Sequence, residues 1–345
     1  MKPIFIQACP SDLYFIFQTQ VQLHNYRKLG YSDSYRVLIF VAGHRPEGES
    51  TGLDLSKWYE LNEKFPEAKF YYYYDNDNIL NKVIRPIGYI PLLRLFCLQK
   101  HFEQFPELKD EVIFYHDADI LLTKKFPFGD YMGGDTCYLS NTQGYLGIGY
   151  LDSKIEHALP DKKEDLISLS PVDKLAECAG ITRGIIEKND SGTGGAQYLL
   201  KNIDADFWKD CYETCIRMKM LFNSLLPYFE NGNKSYQGFC SDMWAVLYNL
   251  WKRGQKTETP SSLDFAWGTD KYDKLKDVYI YHNAGITKKV MDMNGENVVM
   301  FFKGLYANND ASPFLDKEYL KIVSPVYANK FYADELLEVE DPVLP

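Results

Sequence analysis

Two aspartates directly follow a short segment of apolar and aromatic residues. Residues 111–115 (EVIFY) have the composition of a buried strand, and His116, Asp117, Ala118 and Asp119 come next. In open α/β sheets, ligands bind beyond the carboxyl ends of the strands. Carboxylate oxygens suit a divalent cation such as Mg²⁺ or Mn²⁺, and that cation could hold phosphates. We therefore predict a metal site at Asp117 and Asp119, although two aspartates at this spacing also occur by chance.

A second strand-like segment, far downstream, ends in another residue that can bind metal. Residues 278–281 (VYIY) are followed by His282, and Gly285 and Lys288 come soon after. His282 is a candidate third ligand, whereas a single histidine at a strand end is more often a surface or packed residue. A glycine permits close backbone approach to a phosphate, and a lysine can place a positive charge on it.

Together the two motifs resemble those of GT-A glycosyltransferases, particularly the glycogenin-like and galactosyltransferase group. The resemblance implies that Asp117, Asp119 and His282 bind a divalent metal, Mn²⁺ or Mg²⁺, and that Gly285 and Lys288 contact the diphosphate of a nucleotide-sugar donor. It also implies a GT-A fold, with a Rossmann-like, mostly parallel central sheet flanked by helices. Lys289 follows Lys288 where the glycogenin-like pattern has Pro-Trp.

A fainter similarity extends over more of the chain. Residues 18–28 (QTQVQLHNYRK), 35–38 (YRVL) and 85–89 (RPIGY) resemble segments of plant peptidyl serine galactosyltransferases and hydroxyproline arabinosyltransferases. Because we recognise no secretory anchor of their kind, we do not expect a peptide acceptor in the Golgi.

The pattern of hydrophobic residues predicts an α/β protein in which strands alternate with helices. The predicted strands are 4–8, 35–42, 68–74, 111–115, one near 265, and 278–281; the predicted helices are 12–29, 54–65, 89–102, 205–229 and 241–253. Residues 1–290 are expected to form the catalytic domain, in which 152–190 is a long loop with one or two helices. Residues 291–345 are expected to be a C-terminal extension packed on that domain.

Further candidates for donor binding follow from this order of elements. We expect the nucleotide to lie over the end of the first strand, with Gln7, Ala8 and Cys9 near its base and ribose and Asp75 or Arg85 close by.

A glycine-rich segment and an acidic residue complete the predicted site. Residues 192–197 (GTGGAQ), which include Gly194 and Gly195, resemble a turn that leaves room for donor and acceptor, although an ordinary turn is the alternative. Asp242 resembles the acidic residue that faces the acceptor. It would take the acceptor proton in an inverting reaction and orient the acceptor in a retaining one. Its alternative role is to cap the helix that starts there.

Composition sets further limits. The 345 residues are 46% hydrophobic, enough for a large core, and no apolar run reaches the ~18 residues typical of a membrane span. A net charge of -10 argues against binding nucleic acid by charge alone, although Lys124–Lys125, Lys252–Arg253 and Lys288–Lys289 could form a local basic rim. The seven cysteines show no paired metal spacing, which favours reduced thiols and a cytoplasmic location, in a host cell if the protein is viral.

The sequence therefore predicts a metal-dependent hexosyl- or pentosyltransferase. It would move a sugar from a nucleoside diphosphate, by resemblance uridine diphosphate (UDP), to a hydroxyl of a glycan, a lipid-linked sugar or a protein. One alternative acceptor is a hydroxymethylated pyrimidine in viral or phage DNA. An alternative of another class is a protein that binds a nucleotide-sugar without turnover. A nucleotidyltransferase or phosphohydrolase would need a further carboxylate cluster or an early phosphate loop, and we find neither.

Overall fold

The computed structural model describes residues 2–42, 55–230, 234–284, 290–291, 295, 297–302 and 316–343. The strands of these ranges are β1 (Ile4–Pro10), β2 (Tyr35–Val41), β3 (Lys69–Tyr74), β4 (Ile113–His116), β5 (Ile120–Leu122), β6 (Cys137–Asn141), β7 (Gly194–Leu200), β8 (Thr257–Glu258), β9 (Phe265–Trp267), β10 (Ile280–His282), β11 (Val290–Met291) and β12 (Asn297–Val298). The α-helices are α1 (Leu13–Leu29), α2 (Ser56–Lys64), α3 (Arg85–Ile87), α4 (Leu92–Gln104), α5 (Gln143–Leu146), α6 (Ile148–Ser153), α7 (Lys163–Leu169), α8 (Pro171–Ala179), α9 (Arg183–Asn189), α10 (Ala205–Leu225), α11 (Ser241–Lys252), α12 (Lys317–Ile322) and α13 (Asn329–Glu338).

The fold is mixed α/β, as predicted, with a mostly parallel central sheet flanked by helices. Its seven strands have the order β3-β2-β1-β4-β7-β6-β8. A second sheet has the order β5-β10-β9, and β11 pairs with β12. The predicted strands and long helices are confirmed with small shifts at their ends. The largest shifts are at α10, which ends at Leu225, four residues before the predicted end, and at α4, which begins at Leu92, three residues after the predicted start.

The described residues divide into two compact units. The first contains Met1–Tyr72, His116–Asp130 and Ser262–Pro345, and the second contains Tyr73–Tyr115 and Tyr131–Ser261. In the first unit, side chains of α1, β10, α12 and α13 share one core, which includes Val21, Tyr281, Leu320 and Tyr332. The C-terminal helices therefore pack on the first helix of the chain. In the second unit, α10 packs against α4, α8 and α11.

The first helix, α1, is unusual because its polar side chains are buried. Gly30 ends the helix in the left-handed conformation, at φ 80°, which glycine adopts without strain. The buried polar residues of α1 are Gln18, Thr19, Gln20, Gln22 and Asn25. Buried polar groups need hydrogen-bond partners, so this face of α1 must be held by specific contacts rather than by apolar packing.

The segment from 152 to 190 differs from the expected long loop. It contains α7, α8 and α9 in succession, where one or two helices were expected. Ser170 ends α7 at φ 51°, Pro171 opens α8, and Gly180 ends α8 at φ 73°. The α8 side chains that are buried recur at helical spacing: Val172, Leu175, Ala176 and Ala179. The helices are short, and their polar exposed faces dominate the composition of the segment.

All seven cysteines are free thiols in the described chain. None of the helices that the structure describes combines the length and apolar character required to cross a bilayer.

One buried asparagine should contribute strongly to stability. The Asn329 side chain donates to the Phe301 carbonyl at 2.9 Å and to Asn283 Oδ1 at 3.0 Å, and it accepts from the Phe301 N–H at 2.6 Å. We expect Asn329→Leu to lower the free energy of unfolding by about 3 kcal/mol, because buried backbone groups lose their partners. Urea denaturation measures this loss. The exposed Asn76→Leu is the control, and equal stability of the two variants would contradict the expectation.

Candidate functional site

The antiparallel pairing of β5 with β10 brings the two predicted metal-binding motifs together. In this register, His282 lies opposite Ile120, the residue after Asp119. The Asn283 N–H donates to the Asp119 carbonyl at 3.0 Å, which extends the pairing by one bond. The turn that carries the two aspartates is therefore held beside the end of β10.

The side chains of Asp117, Asp119 and His282 converge at this point. His282 Nε2 lies 3.2 Å from Asp119 Oδ1 and 3.7 Å from Asp117 Oδ2. One potential ligand atom from each residue lies within 4.8 Å of the other two. The side chains of Asp119 and His282 are 7% and 6% exposed, whereas that of Asp117 is 26% exposed. The cluster is thus buried on one side and open to solvent on the other.

This geometry fits a divalent cation. Two neighbouring ligand atoms about 2.1 Å from one octahedral ion are about 3.0 Å apart. The distance from His282 Nε2 to Asp119 Oδ1, 3.2 Å, is close to this value, and the 3.7 Å to Asp117 Oδ2 would shorten by a small side-chain movement. Carboxylates suit Mg²⁺ and Mn²⁺, whereas an imidazole ligand suits the transition metals better. The three residues could therefore hold Mn²⁺ or Mg²⁺, and the donor set alone does not select between them.

Two aromatic residues fix the His282 ring. Because β9 pairs with β10 in parallel, Trp267 lies opposite His282, and the two rings stack with centroids 5.2 Å apart at 21°. Phe265 contacts the same imidazole edge-on at 5.5 Å. These rings leave the imidazole little freedom to turn away from the aspartates.

A second group of potential metal ligands is present among the described residues. It consists of His24, Glu335 and Glu338. Lys28 forms ion pairs with both glutamates and lies 2.9 Å from Glu335 Oε1. Because Lys28 already supplies a positive charge there, this cluster is accounted for as an ion-pair contact between α1 and α13.

Side chains of α1 form hydrogen bonds with the backbone of residues 117–120, here called the aspartate turn, and of Leu122. Gln22 Nε2 donates to the carbonyls of Asp117 and Ile120, at 3.1 and 2.9 Å. Asn25 forms a pair of hydrogen bonds with the backbone of Leu122, one in each direction. The sequence analysis missed these residues. The sequence pattern that could have identified them is the run of polar residues on α1. By itself such a run indicates a solvent-exposed helix face.

His116, the residue before the turn, is also part of this buried environment. Its Nδ1 lies 3.4 Å from Gln22 Nε2, and its Nε2 lies 3.4 Å from the Tyr26 hydroxyl. Burial lowers the pKa of His116 to about 4, because the charged imidazolium would lose its hydration. His116 is therefore neutral at physiological pH.

The three residues predicted near the base and ribose lie at the end of β1. Gln7 is fully buried and contacts Thr19 at 2.7 Å, and Ala8 is also buried. Burial raises the pKa of the Cys9 thiol to about 12. Residues at the end of a parallel strand remain candidates for a nucleotide contact through their backbone.

The other predicted donor-binding residues have local partners in the second unit. The carboxylate of Asp75 is buried and accepts the N–H groups of Ile79 and Leu80, at 2.6 and 3.0 Å. The Arg85 guanidinium donates to Asn81 at 2.6 Å. Gly285 and Lys288 lie outside the described residues.

Gly194 and Gly195 lie in strand β7 and not in the predicted turn, whereas Gly192 ends the short 3-10 helix before that strand. A Cβ on Gly194 would lie 2.5 Å from Leu139 Cβ and 2.7 Å from the Ser140 carbonyl oxygen. A Cβ on Gly195 would lie 2.6 Å from Met243 Cε, the end of a flexible side chain. Close packing between strands therefore explains why residue 194 is a glycine. The surroundings of Gly195 could adapt more easily to a side chain.

The Asp242 side chain does not cap its helix. Its Oδ1 accepts the Tyr89 hydroxyl at 2.5 Å, and its Oδ2 forms an ion pair with Arg94. Tyr89 also accepts the Asp242 N–H at 3.2 Å, and burial beside this carboxylate raises the pKa of Tyr89 well above its usual range. Arg94 and Tyr89 were not predicted as site residues. Their contact with Asp242 spans about 150 residues of sequence, which local patterns do not reveal.

Three of the four side chains in two of the basic pairs are engaged within the protein. Lys252 and Arg253 form ion pairs with Asp210 and Asp204, respectively. Lys124 donates to the Lys276 carbonyl and lies over the Tyr279 ring. Lys288–Lys289 lies outside the described residues.

Comparison with known proteins adds little. No protein-family profile matches the chain, and no curated protein matches it. Among solved structures, it is similar to the crystal structure of the galactosyltransferase LgtC in complex with donor and acceptor sugar analogs. The two are 11% identical, with 98% of this chain and 97% of that chain covered and a TM-score of 0.42. A likeness of this strength carries no conclusion about the chain.

The two aspartates should destabilise the metal-free protein. Their carboxylates lie within 4.8 Å of each other, so they repel when both are ionised. With EDTA at pH 8, we expect Asp117→Asn to raise the free energy of unfolding by about 1 kcal/mol, because it removes one of the two like charges. Guanidinium denaturation measures the change, with the exposed Asp77→Asn as the control. A loss of stability in Asp117→Asn alone would show that this carboxylate is a structural residue.

Proposed function

We propose that this chain is a metal-dependent glycosyltransferase of the GT-A type. The observation that carries the proposal is the convergence of Asp117, Asp119 and His282. An Asp-x-Asp turn after one strand and a histidine at the end of another are the motifs from which the sequence predicted this function. Lys288 is proposed to contact the donor diphosphate together with Gly285.

The reaction is transfer of a sugar from a nucleoside diphosphate, UDP in our proposal, to a hydroxyl group. A bound Mn²⁺ or Mg²⁺ supplies a Lewis acid for the departing diphosphate. Asp117, Asp119 and His282 would hold it through three side chains, which converge within 4.8 Å of one another. The rings of Trp267 and Phe265 keep His282 oriented toward the aspartates.

Asp242 is proposed to serve the acceptor. Tyr89 and Arg94 hold both of its carboxylate oxygens, so the side chain has a fixed direction. A fixed carboxylate suits a group that orients the acceptor hydroxyl, and it takes the proton if the reaction inverts configuration. Gln7, Ala8, Cys9, Asp75, Arg85, Gly194 and Gly195 remain proposed donor contacts, those with buried side chains through their backbone.

A glycan, a lipid-linked sugar or a protein hydroxyl is the proposed acceptor. The engagement of Lys252, Arg253 and Lys124 within the protein gives no support to a DNA acceptor. The alternative of another class, a nucleotide-sugar binding protein without turnover, would share the metal cluster. Only a measurement of nucleotide release from the donor distinguishes the enzyme from such a binding protein.

Nucleotide binding should require both the metal and Asp119. With Mn²⁺, UDP at about 100 times its dissociation constant should stabilise the protein by about 2.7 kcal/mol, which a shift of the thermal midpoint reports. We expect no shift with EDTA and little or none in Asp119→Asn, whereas Asp77→Asn should respond as the parent does. If no nucleoside diphosphate shifts the midpoint under any metal condition, the proposed function is wrong.

Asp242→Asn should separate binding from turnover. Because Asp242 is proposed to act on the acceptor, we expect the variant to keep the UDP and Mn²⁺ shift. Transfer to the acceptor should fall by a factor of about 10² to 10⁴. Release of UDP from a panel of UDP-sugars, followed with and without candidate acceptors, measures turnover. Unchanged turnover in a folded Asp242→Asn protein would remove Asp242 from the proposed site.

A further inference from the structure

Gln22 occupies a special position beneath the aspartate turn. Its side-chain amide nitrogen has two hydrogens, and the structure provides two carbonyl acceptors for them, those of Asp117 and Ile120. These two residues are the ends of the four-residue segment that contains both aspartates. One fully buried side chain therefore ties together both ends of the turn that presents the carboxylates.

The Gln22 amide is itself held in place. The Tyr35 hydroxyl forms a hydrogen bond with Gln22 Oε1, and the same hydroxyl lies 2.8 Å from Gln7 Oε1. Gln7 in turn contacts Thr19 of α1 at 2.7 Å. Both strands β1 and β2 thus contribute to a buried polar network that fixes the direction of the Gln22 side chain.

Neighbouring contacts show that α1 acts as a support for β5. One turn along the helix, Asn25 pairs with both the N–H and the carbonyl of Leu122, as an adjacent strand would. On its other edge β5 pairs with β10, which carries His282. Gln22 and Asn25 therefore hold the first of the two strands whose pairing forms the metal cluster.

We propose that Gln22 is a positioning residue for the metal site, an inference that rests on the proposed function. Gln22 does not contact the metal. It stabilises the turn conformation in which Asp117 and Asp119 face His282. A larger fraction of the protein molecules is therefore competent to bind the metal. Because apparent affinity scales with the fraction of binding-competent protein, loss of this support should weaken metal binding.

Gln20 provides a matched control. It is a glutamine on the same helix and is equally buried, but its Oε1 accepts the N–H of Val343 instead of supporting the turn. Gln22→Met and Gln20→Met each remove an amide of the same size from the buried face of α1. General destabilisation of the helix should affect both variants, whereas loss of the turn support should affect only the first.

The test is direct titration with Mn²⁺ alone, followed by the loss of the signal of free Mn²⁺ in electron paramagnetic resonance. The titration is run well below the melting midpoint of every variant. We expect Gln22→Met to raise the dissociation constant at least about tenfold, the size typical for residues that support metal ligands. Gln20→Met should bind as the parent does, even if its midpoint falls by a similar amount.

A second variant covers the case in which Gln22→Met does not fold. Tyr35→Phe keeps Gln22 but removes the hydroxyl that holds its Oε1, so we expect a smaller rise in the dissociation constant. The inference is overturned if the parent binds Mn²⁺ and the folded Gln22→Met, or Tyr35→Phe in its place, binds equally well. It is also overturned if Gln20→Met weakens binding as much as Gln22→Met. If the parent itself binds no Mn²⁺, the proposed function fails as well.

Discussion

The pairing of β5 with β10 determines the geometry of the candidate metal cluster. Asp119 immediately precedes β5 and His282 lies at the end of β10, and the antiparallel register brings these two ends together. The hydrogen bond from Asn283 to the Asp119 carbonyl fixes the register at the cluster itself. A shift by one residue would turn the His282 side chain to the opposite face of the sheet. Contacts that hold either strand therefore act on the site.

The surroundings of the cluster combine rigidity with an unfavourable charge arrangement. Two carboxylates approach each other in a turn that is largely buried, and such an arrangement costs stability unless a positive charge offsets it. Among the described residues, uncharged groups contribute to the support: Gln22 and Asn25 through hydrogen bonds to the backbone, and Trp267 and Phe265 through contacts with the His282 ring. This pattern is typical of sites that trade stability for the ability to bind a cation.

The sequence predicted the parts of this protein that follow from local patterns. The strands and long helices have clear hydrophobic periodicity, and Asp117, Asp119 and His282 each follow a strand-like segment. The sequence did not predict the roles of Gln22 and Asn25, because a polar run on a helix normally indicates exposure. It also missed the contact of Arg94 with Asp242, and it expected one or two helices between 152 and 190, where the structure has α7 to α9. The former spans about 150 residues, and the latter are short, with mostly polar exposed faces.

Anomalous X-ray diffraction at the manganese edge, from crystals grown with Mn²⁺ and UDP, tests the central claim most directly, because it locates the ion without reference to activity. We expect one strong anomalous peak within bonding distance of Asp117, Asp119 and His282, with oxygens of the diphosphate in the same coordination shell. A peak at His24, Glu335 and Glu338 instead, or UDP bound with no manganese at the aspartate turn, would contradict it.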